Sequence, residues 1–264
     1  MYSGGGLTSC SNSSNSDNGK LENNENTGSG GNTGGGEKSG NSNIDAHGYL
    51  KINGTTVTGY IKNKLPDDGA IEIPEGVTSI GERAFIFCSN LTSVKIADGV
   101  KEIGKEAFEE CTNLKSVNIP SSVTTIGDGA FRGCTNLTGA ITIPKGVTKI
   151  SDYVFWGCGL TGITIPDTVT EIGEFAFFNC SLTGDVVIPA SVTKIGKSAF
   201  AHNYGLLSVT FDDTEGWYNC AGSYPWAEIE SKEIDVSDSS KNVLELTSQD
   251  PYTWGNLGIY KKTN

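Results

Sequence analysis

The sequence predicts a β-rich solenoid: short coils, each with a helical turn, stacked in register and capped at both ends. Two observations carry this. Ala-Phe recurs at Ala84-Phe85, Ala107-Phe108, Ala130-Phe131, Ala176-Phe177 and Ala199-Phe200, and Val154-Phe155 fills the missing place. The six phenylalanines are 23, 23, 24, 22 and 23 residues apart, and a fixed period in the twenties is the signature of stacked units. Around them, the apolar places are constrained while the residues between them vary.

Each unit reads as two short strands and a turn. Ile73, Ile96, Ile119, Ile143, Ile165 and Ile188 end alternating stretches of the form Leu91-x-x-Val94-x-Ile96, and Phe211 takes the seventh place. Period-two alternation is the pattern of a half-buried strand. Proline follows the isoleucine in five of those six units and ends the strand, because it has no N–H for a paired ladder. Val77-Thr78-Ser79-Ile80 and its equivalents form the second strand. Gly81, Gly104, Gly127, Gly173 and Gly196 then turn the chain, with Ser151 once in place of glycine. Ala-Phe follows on a helical turn, its ring filling the core. Coils at a strand spacing of roughly 4.8 Å make a stack roughly 30 Å long. No unit buries its apolar face alone, so stability is a sum of nearest-neighbour interfaces.

Five of the seven cysteines, Cys88, Cys111, Cys134, Cys158 and Cys180, stand three residues after the repeat Phe, and Asn203 takes the sixth place. A buried, reduced ladder suits this register. Disulfides and a metal string are the alternatives, but parallel thiols on adjacent coils point the same way. Zinc sites want C-x-x-C pairs or histidine partners.

The chain divides into four parts. Residues 1–43 are Gly, Ser, Asn and Thr with scattered charge, a polar tether that cannot build a core. Leu7-Thr8-Ser9-Cys10 matches a bacterial lipobox, whose cysteine is the lipidated residue. The basic and apolar segment of a lipoprotein signal does not precede it. Cys10 is therefore either a lipidation site or a linker cysteine. Residues 44–72 are a cap at the N-terminal end, with Tyr49-Leu50-Lys51-Ile52 and Val57-Thr58-Gly59-Tyr60-Ile61 as strands. Residues 73–211 are the repeats. Residues 212–264 break the period and form an acidic, aromatic C-terminal cap, with ten acidic residues against four lysines. Its Trp217, Tyr218, Tyr224, Trp226, Tyr252, Trp254 and Tyr260 read first as plugs for the open cross-section.

The succession Ile-Pro, Val-Thr-x-Ile-Gly, x-x-Ala-Phe, x-x-Cys, x-x-Leu resembles the BspA-type leucine-rich repeat over about residues 70–211. The stretches Asp235-Val236-Ser237-Asp238 and Asn242-Val243-Leu244-Glu245-Leu246-Thr247 are similar to endings of spirochaetal members. The resemblance implies a right-handed leucine-rich repeat solenoid displayed on a bacterial surface or secreted. It implies attachment to host matrix proteins, other cells or other bacteria, and brings no catalytic motif.

Chemistry is sparse. His47 and His202 are the only histidines and fall in different parts of the stack; His202 reads as an exposed substitution. There is no H-E-x-x-H, G-x-S-x-G or Walker sequence, so no catalytic, cofactor or metal residue is assigned. Asp67-Asp68-Gly69 and Asp212-Asp213 are acidic turns. A net charge of −12 disfavours nucleic acid. No segment is apolar enough to span a membrane, leaving a lipid on Cys10 as the only membrane attachment. Carbohydrate binding stays open.

Two surfaces rank as candidates for a protein partner. The outward residues of the longer strands, such as Ser93 and Lys95 or Ser116 and Asn118, form a small, polar face without the Trp, Tyr or Arg that dominate binding energy. The turn beside the repeat Phe is more informative. There, charged residues of the earlier units give way to Tyr153 and Trp156, then Phe175 and Phe178. The spacing of three puts each pair on one helical face, stacking sets the pairs side by side, and Arg132 comes over Trp156. An apolar patch of this size marks a contact site. The rings tiling one another is the alternative.

Overall fold

The computed structural model describes residues 45–219, 222–224, 227–229, 233–247 and 258–261, with backbone alone at 218–219, 222–224 and 227–229. The tether, with Cys10, lies outside the described residues. The N-terminal cap is an antiparallel hairpin, β1 (Leu50–Asn53) and β2 (Thr56–Tyr60). Asp45 fixes its start, accepting the N–H groups of Tyr49 at 2.9 Å and Leu50 at 2.7 Å.

Each coil then contributes a longer and a shorter strand. The first three pairs are β3 (Ala70–Ile73) with β4 (Ser79–Ile80), β5 (Ser93–Ile96) with β6 (Glu102–Ile103), and β7 (Ser116–Asn118) with β8 (Thr125–Ile126). The next three are β9 (Thr138–Thr142) with β10 (Lys149–Ile150), β11 (Gly159–Thr164) with β12 (Glu171–Ile172), and β13 (Thr183–Ile188) with β14 (Lys194–Ile195). The last long strand is β15 (Gly205–Phe211). Neighbouring coils pair in parallel at a shift of one period, Ile73 beside Ile96 and Ile80 beside Ile103.

The Ala-Phe segment differs from the helical turn expected of it. It is a run of linked β-turns. Ala84, Ile86 and Cys88 donate to carbonyls three residues back, while Arg83, Phe85 and Phe87 donate to Lys105, Ala107 and Glu109 on the next coil. A helix would keep all these donors to itself. Here alternate N–H groups pair outward, and the turn becomes a third inter-coil ladder.

Inside, the repeat phenylalanines form one column. Phe85, Phe108, Phe131, Phe155, Phe177 and Phe200 are fully buried, with successive centroids 5.1, 5.3, 5.5, 5.6 and 5.4 Å apart. Tyr60 of β2 continues the column, 5.7 Å from Phe85. Beside it the five described cysteines are free and buried. Each of the last four donates its thiol to the Phe carbonyl of the preceding coil, as Cys111 Sγ does to Phe85 O at 3.1 Å.

The strand ladders are interrupted between the third and fourth coils. The long strands pair as β3-β5-β7, restart at β9-β11 and restart again at β13-β15; the short ones pair through β8 and restart at β10. The extra residue of the 24-residue interval falls here, and Gly139 takes a left-handed φ of +83° just before the inward Ile141. Ser151 stands at the same break. On paired coils this place needs glycine: a Cβ on Gly127 would lie 2.5 Å from the backbone N of Lys105. At Ser151 the hydroxyl donates to Ile126 O at 2.6 Å, replacing the backbone N–H that Gly127 gives to Ile103 O. The turn ladder continues across the break, since Gly129, Phe131 and Gly133 still donate to Asp152, Val154 and Trp156.

The far end is covered by β16 (Trp217–Asn219), α1 (Ser239–Thr247) packed on β15, and β19 (Ile259–Lys261), while β17 (Gly222–Tyr224) and β18 (Ala227–Ile229) pair with each other as an antiparallel hairpin. β19 runs antiparallel between β14 and β16, pairing the edge that the last short strand would leave open. Trp217 is buried edge-on against Phe211, with centroids 5.1 Å apart, and donates its indole N–H to Asp213 O at 2.9 Å. Lys261 lies over the Trp217 ring and pairs with Asp213. Trp217 is thus a plug. Trp226, Tyr252 and Trp254 lie outside the described residues.

Candidate partner-binding surface

The turn ladder has an outer edge, and its chemistry changes along the stack. On the first three coils it is ionic. Arg83 Nε lies 2.5 Å from Glu106 Oε2, and Arg132 Nη1 lies 3.4 Å from Glu109 Oε1. Burial and the neighbouring Glu106 push the Glu109 carboxyl up from its ordinary value. From the fourth coil the edge is aromatic.

Tyr153 and Trp156 are the ends of one β-turn, with Trp156 N donating to Tyr153 O at 3.1 Å; Phe175 and Phe178 repeat this one coil on, at 3.2 Å. The spacing of three does bring each pair together, through a turn rather than a helix. Across the coils Tyr153 stacks on Phe175 at 5.2 Å and 9°, and Trp156 on Phe178 at 6.0 Å and 3°. Phe175 and Phe178 meet edge to face at 5.5 Å. The guanidinium of Arg132 caps this ladder, 5.2 Å from the Trp156 centroid and 5.9 Å from that of Tyr153. Its Nε is buried and makes no hydrogen bond among the described residues. All five residues singled out in the sequence therefore converge.

His202 and Tyr204 extend the ladder and were not legible as part of it. His202 is half-buried rather than an exposed substitution. Its ring lies 4.5 Å from Phe178, and its Nδ1 is 3.2 Å from the Tyr204 hydroxyl. The signal was its register: His202 holds the place of Phe87, Glu110, Gly133, Gly157 and Asn179, two residues after the repeat Phe.

The ladder uses its ring faces on itself. Within each pair the rings are near-parallel and stacked from one coil to the next, while the two pairs are set at a steep angle, Phe175 to Phe178 at 62°. Tyr153 is 37% exposed, and Trp156, Phe175 and Phe178 are half-buried. Tyr153 and Phe175 sit at φ of +58° and +53°, a left-handed conformation that costs about 1–2 kcal/mol for a residue with a Cβ. Gly129 holds the same place one coil earlier. Burial, then Glu174 and Asp152, push the Tyr153 phenol up; burial, then Asp152, push the Glu174 carboxyl up.

The strand face is polar as expected. Glu72 and Lys95 pair at 2.8 Å, and Ser208 donates to Asp185 at 2.5 Å. Near the far end this face gains two large exposed side chains, Val187 of β13 at 49% and Leu207 at 73%, the latter at the bulge where β15 shifts register against β13. Among the described residues no group of three or more His, Cys, Asp or Glu is placed to hold a metal ion, and no helix is long and apolar enough to cross a membrane.

Parallel two-strand coils, a central Phe column and a 23-residue period define a leucine-rich repeat solenoid. A family model described as "BspA type Leucine rich repeat region" matches residues 68–183 and 138–245, in six copies. The chain belongs to the BspA-type leucine-rich repeat family. Among solved structures it is similar to a leucine-rich cell surface protein from Faecalibacterium prausnitzii, at 36% identity and a TM-score of 0.51, covering 66% of this chain and 55% of that one. It is also similar to a leucine-rich repeat protein from Eubacterium ventriosum, at 29% identity and a TM-score of 0.47, covering 58% and 42%. The T. pallidum leucine-rich repeat protein matches at 30% identity and a TM-score of 0.39, covering 58% and 62%. The chain thus spans about half the length of the first two. No curated protein matches it. Leucine-rich repeat solenoids generally mediate protein interactions and are typically non-catalytic, and this family is one of bacterial surface proteins.

Proposed function

We propose that this chain is a non-enzymatic, adhesin-like binding protein of the bacterial surface, recognising a host matrix protein or a bacterial surface protein. The observation that carries the reading is the half-exposed aromatic ladder of Tyr153, Trp156, Phe175 and Phe178, capped by Arg132. Arginine and large aromatics dominate the energy of protein interfaces, and nothing in the repeat requires them here, since Gly129 and Ala201 serve at the same places. Stacking in a rigid coil pre-pays the ordering of these side chains, which lowers the cost of docking. Display at the outer membrane through lipid on Cys10, or secretion, fits the polar tether.

The test is binding of the full chain to immobilised matrix proteins and whole bacterial cells, beside a Trp156→Ala/Phe178→Ala double variant. Saturable binding by the parent that the variant loses is expected. Equal binding by both removes the ladder from the reading, and no binding by either removes the adhesin.

A second reading is envelope self-assembly. Tyr204 and Leu207, 70% and 73% exposed at the far end of the stack, favour contact between copies. Concentration-dependent sedimentation would support it. A carbohydrate partner is the weakest of the three, because a sugar stacks on a ring face and pairwise stacking takes up part of that surface.

A further inference from the structure

We infer that the occupant of the aromatic edge is a basic polypeptide segment, with arginine or lysine interleaved with apolar residues. This rests on the ladder being the contact site, and adds which partner it takes.

Three features of the edge converge. The first is the orientation of the rings. Trp156 and Phe178 are parallel within 3°, Tyr153 and Phe175 within 9°. The half-buried rings leave apolar carbon surface beside the Tyr153 hydroxyl, suited to aliphatic stems and to the faces of a partner's side chains.

The second is the chain's own solution at one end. The Arg132 stem and guanidinium already lie over Tyr153 and Trp156. Arg132 fills that end itself, but its seat shows that the faces of these rings accept a long cationic side chain, and face contact favours arginine over lysine.

The third is the charge beside the rings. Asp128, Asp152 and Glu174 occupy one register, each immediately before Gly129, Tyr153 and Phe175. Among the described residues none of the three makes an ion pair within 4 Å. Arg132 is committed to Glu109, and the basic groups felt by Glu174 are Lys197 and Lys194. Asp152 turns one oxygen inward, its Oδ1 accepting Glu174 N at 2.8 Å. The result is an apolar strip bordered on its own coils by carboxylates without ion pairs, with Lys105 and Lys197 at the same place on the flanking coils, the anatomy of an interface core and its polar border. A cationic partner gains steering from a chain of net charge −12. An anionic partner, or a second copy with the same carboxylates, is repelled.

The test uses the full chain and two fluorescein-labelled 12-residue peptides, one alternating Arg and Val with glycine spacers, the other with Glu for Arg. Binding is read by anisotropy at low and physiological salt. The basic peptide is expected to bind and the acidic one not. Trp156→Ala/Phe178→Ala should weaken binding at least tenfold. Asp152→Asn/Glu174→Gln should weaken it about tenfold and flatten its salt dependence. Asn at 152 keeps the acceptor for Glu174 N, and thermal melting checks that each variant folds. Glu75→Gln/Glu102→Gln makes the same charge change on exposed positions elsewhere and should leave binding unchanged. Equal weakening by both charge variants, or none by Asp152→Asn/Glu174→Gln, overturns the inference. So does a parent that ignores the basic peptide. If that parent still binds matrix proteins or cells through Trp156 and Phe178, the surface reading stands and only the partner class is wrong.

Discussion

Asn203 reaches the carbonyl of Phe177 at 2.7 Å, the contact that cysteine thiols make at 3.1 Å on the preceding coils. The two residue types share a place because both put a donor beside a buried backbone oxygen. Asn203 does more: its amide also donates to Phe200 O at 2.8 Å, and its Oδ1 accepts Leu182 N at 3.2 Å. It closes the cysteine ladder at the last turn.

Asn203→Ala should therefore cost more than its size suggests. It leaves Leu182 N and Phe177 O buried without these partners, at about 1–3 kcal/mol each. Asn203→Cys should recover the Phe177 contact and part of the loss. Urea denaturation of the two variants tests the order.

Phe131→Ala removes the centre of the Phe column and should cost roughly 3–5 kcal/mol. Because each coil touches only its neighbours, protection of backbone amides should fall most around Phe108 and Phe155. Hydrogen exchange measures that locality.

Gly127→Ala drives a methyl group into the backbone of Lys105 and should destabilise by about 1–3 kcal/mol, the range for overpacking. Ser151→Gly, at the same repeat place, should cost only its one hydrogen bond, about 1 kcal/mol. Comparable losses in the two melts would contradict the close-approach account.

Burial pushes the Cys134 and Cys180 thiols up to about 12 from an ordinary value of 9.0. The folded state thus binds these protons more tightly than the unfolded state. Their contribution is complete below about pH 9 and is lost as pH rises toward 12, at about 1.4 kcal/mol per pH unit for each thiol. Stability should fall through that window, and Cys134→Ala/Cys180→Ala should flatten the decline. At pH 8 a thiol reagent should label neither cysteine until denaturant is added.

Trp156→Ala/Phe178→Ala should leave unfolding cooperative. The rings lie outside the Phe column, and the turn hydrogen bonds they span are backbone bonds. A broad or two-step melt would mean that the ladder holds the stack together.

The coil was legible because a solenoid repeats one environment. Ile73, Phe85, Cys88 and Leu91 each meet their own copies, so the same residue types recur at a fixed interval. The convergence of Tyr153, Trp156, Phe175, Phe178 and Arg132 followed from the same register. His202 and Tyr204 were missed because they hold places where other coils carry unrelated residues: register put His202 on the turn, but only the ring distances join it to Phe178 and Tyr204 to it.

The sequence alone determined the period, the inward column and the aromatic edge, since each follows from chain spacing. The tertiary structure decided the rest, because it depends on how one coil's backbone meets the next. Alternate N–H groups leave the Ala-Phe turn for the neighbouring coil, so it is not a helix. Both strand ladders break after the third coil, where the extra residue and Ser151 fall, while the turn ladder carries on. The ring planes run parallel from coil to coil within each pair while the two pairs meet at 62°, an angle that spacing does not reveal.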